Sequence, residues 1–181
     1  MSDSAVNDLG AVQYLETEAI GEPGQRRFRI RVTSEAGSAS LWIEKEQVRA
    51  LSEAIQQVLS QNRQEDEGKR PAAPPLEPFP LNADHDFQVG RLALAYDDRA
   101  DALALYVTDI EHAQETRATI RATFTRAQAR LFAAQAEVTI EAGRAVCPLC
   151  KVPLDGYDHL CPPTNGHSDD ILAWIPPPEL G

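Results

Sequence analysis

Up to residue 146 the chain contains no cysteine; all three of its cysteines and two of its four histidines fall within residues 147–167. An odd number of thiols gathered in one place argues against a disulfide framework. With an acidic, polar N-terminus in place of an export signal, this cysteine usage points to a reducing, cytoplasmic setting. Long hydrophobic runs are lacking too. None approaches the roughly 18 residues a membrane-crossing helix needs, so no membrane association is expected. Positive charge is scarce: 17 Lys and Arg against 28 Asp and Glu give a net charge of -11, which disfavours nucleic acid as a partner. No Ser-His-Asp arrangement, no H-E-x-x-H and no dinucleotide fingerprint is present, so nothing in the sequence marks a catalytic constellation.

What is present is enough apolar material for one ordinary domain and a small appendage: 181 residues, 43% hydrophobic and 25% charged. "RRFRIRV" alternates strictly, with Phe28, Ile30 and Val32 on one face and Arg27, Arg29 and Arg31 on the other, the pattern of a half-buried strand. "VQYLETEAI" (Val12 to Ile20) precedes it and "SASLWI" follows. In "EKEQVRALSEAIQQVLSQ" the residues Val48, Leu51, Ile55, Val58 and Leu59 recur at helical spacing. The order then returns. "FQVGRLALAY", "ALALYVTDI" and "RATIRATF" read as strands, and "TRAQARLFAAQAEVTIEAG" reads as a helix with capping-box spacing at Thr125 and Gln128 and a stop at Gly143.

"IEKEQVRAL" lies over "FTRAQARLF" at an offset of 81, and "FRIRV" over "LALYV" at an offset of 75; the difference is the longer loop "DIEHAQET". The expected fold is α+β, two βββα repeats packed as one domain over residues 1–144, with repeat one at 11–62, a Pro-rich linker at 63–85 and repeat two at 86–144. A zinc knuckle at 145–167 and a Pro-rich tail at 168–181 complete the chain, and Trp174 in the tail reads as docking on its own domain. His85, in the linker, and His112, in a loop, read as surface residues.

Cys147 and Cys150 form a C-x2-C turn around Pro148, which aims two thiolates at one point. His159 and Cys161 follow in "HLC". Together they make a closed Cys3His site, and thiolate with imidazole favours structural Zn2+. His167 competes for the fourth position, but would need the "PPTNG" loop to fold back.

The segments "GEPGQRRF", "LWIEKEQVRAL", "VGRLALAYDD" and "TRAQARLFAAQA", with the C-terminal "CPLC", "PLD", "HLCP" and "NG" at their spacing, resemble a bacterial family of uncharacterised proteins, domain of unknown function 3090. The resemblance spans almost the whole length and implies His159 as the fourth ligand. Lys151, Gly156, Asp158 and Pro163 depart from the family pattern, while the four ligand positions keep it. The resemblance implies no established activity.

Gly24, Gln25 and Arg26 in "GEPGQRR" present amides and a guanidinium to an anion, although such a loop is more often a plain hairpin turn. The Arg27, Arg29 and Arg31 stripe reads as a charged strand face that blocks edge-to-edge association, or as a surface for an acidic partner. The expectation is therefore a cytoplasmic, zinc-stabilised binding or adaptor protein with a protein partner. The alternative is an enzyme or enzyme accessory that binds an anionic small molecule in a cleft between the repeats near "GEPGQR".

Overall fold

The computed structural model describes residues 5–22, 25–62, 79–142, 147 and 149. The chain divides into two compact units, Met1–Gly143 and Arg144–Gly181. The first is a mixed α+β structure with the order β1 (Ala5–Ile20), β2 (Arg27–Ser34), β3 (Gly37–Ile43), α1 (Lys45–Gln61), β4 (His85–Asp97), β5 (Ala102–Asp109), a 3-10 turn (Ile110–His112), β6 (Ala118–Thr125) and α2 (Arg126–Ala142). No helix among the described residues is long and apolar enough to cross a membrane. The linker residues 63–78, the Gly143 stop and the tail lie outside the described residues.

The six strands neighbour one another in chain order and close into a ring. β1–β2–β3 and β4–β5–β6 are antiparallel meanders, and parallel β3–β4 and β1–β6 pairs join them. The inward residues are those the alternation marks. Phe28, Ile30 and Val32 stand opposite Ile43, Leu41 and Ala39, and Leu103, Leu105 and Val107 stand opposite Phe124, Ala122 and Ile120. All twelve are buried, and Val48, Leu51 and Ile55 of α1 with Phe132 and Ala136 of α2 close the core over them.

The long strands β1 and β4 each change partner part-way. β1 pairs with β6 from Ala5 to Ala11 and with β2 from Val12 onward, with a bulge between Val12 and Tyr14. β4 pairs with β3 from His85 to Gln88 and with β5 from Val89 onward, with a bulge between Val89 and Arg91. A bulge bends a strand and strengthens its local twist, which lets one strand serve two sheets.

Three details correct the sequence reading. β1 begins at Ala5 rather than Val12 because its polar residues find partners on β6: Asn7 Nδ2 donates to the Thr119 carbonyl at 3.2 Å, and Arg121 pairs with Asp8 at 2.9 Å. His85 is the first residue of β4, opposite Ala39, and not part of the linker. The arginine stripe belongs to no edge, since β2 is flanked by β1 and β3. Its charges are matched within the chain: Arg29 pairs with Glu18, Arg31 with Glu16, Arg27 stacks 4.1 Å from the Trp42 ring, and Phe79 lies over Arg29 and Arg31.

Both helices start on the same device. The Thr125 amide donates to Gln128 Oε1 at 2.9 Å and the Gln128 amide to Thr125 Oγ1 at 3.2 Å; at α1 the Glu44 amide donates to Gln47 Oε1 at 3.1 Å. Each glutamine also spends its amide on a bulged strand, Gln128 Nε2 donating to the Val12 carbonyl at 2.8 Å and Gln47 Nε2 to the Gly90 carbonyl at 3.4 Å. The helices run parallel against each other. Ser52 Oγ donates to the Ala133 carbonyl and Gln56 Nε2 to Glu137, both across 81 residues.

The start of β4 is pinned by Asp84, which accepts from the Ser38 amide and hydroxyl, each at 2.8 Å. The hydroxyl bond, followed by the amide bond, holds this carboxyl below its ordinary value of 3.8. A depressed carboxyl contributes stability that is present above the unfolded value and is lost as pH falls through the folded one. Asp84→Asn should therefore flatten the acid limb of the stability curve below pH 3.8, as followed by urea unfolding across a pH series. Gln128→Ala should cost about 1–2 kcal/mol because it removes a cap and a tie to β1 together. Gln47→Ala should cost less, its tie being the longer one; denaturant midpoints compare the two.

Candidate functional site

Once β4 turns to β5 at Val89, its opposite edge has no strand partner among the described residues. α1, which follows β3, runs beside that edge. The corresponding edge of β1 is sealed. There α2 supplies Gln128 to the Val12 carbonyl and Thr139 Oγ1 to the Thr17 carbonyl at 3.4 Å. Counting from the two bulges and from the two caps, Leu94 corresponds to Thr17 and Val58 to Thr139. Valine has no donor, so the Leu94 carbonyl gets no such side-chain bond.

Side-chain size follows the same division. Where α2 turns Phe132 and Gln135 toward its neighbours, α1 has Leu51 and Ala54. Leu15 and Thr17 on β1 are buried, whereas Leu92 and Leu94 on β4 are only half-buried. The result is a groove of about 330 Å³ lined by Gln47, Ala50, Leu51 and Ala54 of α1 and by Gly90–Leu94 of β4. It lies between the two strand-strand-strand-helix halves.

One end of the groove is built by the longer second-half loop. A methyl added at Gly90 would stand 2.8 Å from Ile110 Cα and 3.3 Å from Ala113 Cβ, so only glycine lets the 3-10 turn lie this close. Arg91 donates to the Glu115 carbonyl at 2.6 Å, while the Glu115 carboxylate faces His112 Nδ1 at 3.0 Å. Arg91 is thus held in place by a neutral oxygen. It is the one ionisable residue lining the groove among the described residues.

A second concavity of about 420 Å³ lies on the outer face of β4–β6, between Ala95, Ala104 and Arg121. Beside it the turn joining β4 to β5 is fixed by Asp101, at φ 47°, which accepts from Tyr96 Oη and lies 3.6 Å from Arg126. The hydrogen bond to Asp101 pushes the Tyr96 hydroxyl up from its ordinary pKa, with burial adding to it. These contacts tie the turn to the start of α2 and are structural.

Of the residues marked in the sequence, Gln25 and Arg26 sit in a self-closed turn: the Gln25 amide donates to the Glu22 carbonyl and Arg26 Nε to the Gly21 carbonyl, both at 3.0 Å. Neither lines the groove. Gly24 lies outside the described residues, as do Cys150, His159, Cys161 and His167. Cys147 is buried. A cleft between the repeats was expected near "GEPGQR"; its place between α1 and β4 was not, although Ala50 and Ala54 against Leu131 and Gln135 at the offset of 81 were its visible signal.

The model of a family described as "Protein of unknown function (DUF3090)" matches residues 8–161. The chain belongs to this family. The family match takes in the barrel from Asp8 of β1 onward, both helices and the C-terminal stretch as far as Cys161. No curated protein and no solved structure matches the chain.

The close approach at Gly90 makes a direct test. Gly90→Ala must push the 3-10 turn off β4, at a cost of about 1–3 kcal/mol. Urea unfolding should register that loss, and amide shifts at Ile110 and Ala113 should show the displacement.

Proposed function

We propose that this is a cytoplasmic binding or adaptor protein with no catalysis of its own, whose binding surface is the α1–β4 groove and whose C-terminal stretch is held by a structural zinc ion. The observation that carries the binding role is the asymmetry of the two long strands: α2 seals the free edge of β1, and α1 leaves that of β4 accessible. The lining offers apolar surface, one amide and one guanidinium, which is chemistry for recognition. The two halves are read as copies of one βββα unit. The equal element order, the paired bulges and the contacts between residues 81 apart support that reading.

The zinc reading rests on donor chemistry. Cys147, Cys150, His159 and Cys161 supply four ligands, and three thiolates would weaken the ion as a Lewis acid, which suits structure better than catalysis. The family match ends on Cys161, so it spans these four positions and leaves out His167. "KVPLDGYD" between the ligand pairs has too few apolar residues for a core, so metal binding would supply its folding energy.

The purified protein should carry one zinc ion per chain by elemental analysis. Cys150→Ser and His159→Ala should lose it, and His167→Ala should keep it. Chelation should raise amide exchange over roughly residues 145–167 and leave the strand amides of the barrel protected. A zinc-free protein, or one in which His167→Ala alone releases the metal, would overturn this assignment.

A further inference from the structure

We infer that the α1–β4 groove receives an extended peptide of a protein partner, which adds to the open edge of β4 as a further strand. The inference rests on the binding role proposed above and names the class of partner for that groove. A strand edge presents alternating N–H and C=O groups, and another extended backbone satisfies both kinds at once. The Gly90 carbonyl is taken by Gln47, so β4 offers such an edge beyond Gly90, where Arg91–Leu94 line the groove. Four residues of strand span about 14 Å, room for a peptide of similar length.

The walls define the peptide further. Alternate peptide side chains would meet Leu51, Leu92 and Leu94, and the small Ala50 and Ala54 leave the space they need. Arg91 stands at the end set by the Glu115 carbonyl, and no carboxylate pairs with it among the described residues. A carboxylate at that end of the peptide would meet it, a local cation on a chain of net charge -11. Proline is excluded wherever the peptide must donate to β4. Each edge is tied at its start by a glutamine, Gln128 to Val12 and Gln47 to Gly90, but on β1 Thr139 also takes the Thr17 carbonyl further along, which blocks strand addition there. The groove therefore has one occupant class, an acidic-ended, alternately apolar, proline-poor segment.

The test selects a random heptapeptide library displayed on phage against the full-length, zinc-loaded protein. Enriched peptides should alternate apolar residues, carry Asp or Glu at one end and lack proline. The synthetic consensus peptide should slow amide exchange within residues 91–97, and N-methylation of its alternate amides should abolish binding. Ala54→Trp, which fills the groove, should weaken binding by about tenfold or more. Arg91→Glu should shift selection to peptides ending in Lys or Arg. Enriched peptides with helical spacing, or protection at another surface, would overturn strand addition while leaving a binding protein. No enrichment at all, with β4 edge amides exchanging as slowly as those of β5, would mean that the edge is already occupied within the chain, and would remove both readings. A concentration-dependent dimer protected at the same amides would replace the peptide by a second copy.

Discussion

A strand that changes partners leaves an unpaired edge behind it, and most of this architecture answers that constraint. β1 and β4 each serve two meanders, so each exposes one edge past its bulge. Backbone amides and carbonyls taken from water need partners, and an exposed edge invites foreign strands. The helix after each meander lies against the edge left by its own last strand. α2 does so with hydrogen bonds from Gln128 and Thr139. Because the constraint arises twice, so do the cap, the bulge and the glutamine tie; because it is met fully only once, one surface stays available.

The helix pair depends on the same arrangement. Ser52 with Ala133 and Gln56 with Glu137 are contacts between residues 81 apart, repeated one turn along. Repeated contacts at one constant separation require parallel helices. The offset seen in the sequence alignment is therefore also the register of helix packing. Neither half would seal its sheet alone, since β3 needs β4 and β6 needs β1.

Much of this was legible in the sequence because strict periodicity leaves little choice. Phe28, Ile30 and Val32 on one face of β2, the helical spacing of Val48, Leu51 and Ile55, and the Thr125–Gln128 cap all lie where pattern and capping chemistry put them. The first part of β1 was not legible. Asn7, Asp8 and Gly10 carry no apolar alternation, and the partners of Asn7 and Asp8, Thr119 and Arg121, lie over 100 residues away. The arginine stripe misled for a related reason: alternation reveals a polar face but cannot say whether the strand is at an edge. Glu16 and Glu18, which settle that question, are cross-strand partners, and their register depends on the bulge at Val12.

The binding role proposed for the groove would rest on differences between α1 and α2 at matched positions. Thr139 to Val58 removes a donor, Gln135 to Ala54 removes bulk, and Phe132 to Leu51 shortens the apolar wedge, each by comparison of α2 with α1. None of these differences disturbs the core, because Leu51 and Phe132 are both buried and both helices keep their caps. The added loop acts in the opposite sense. By packing the 3-10 turn on Gly90 and holding Arg91 through the Glu115 carbonyl, it makes one end of the open edge rigid and positive. A frayed edge would be an aggregation hazard; under the proposed strand addition, an edge bounded by a fixed cation at one end and by a helix along its side would select a segment of one charge pattern and one backbone form.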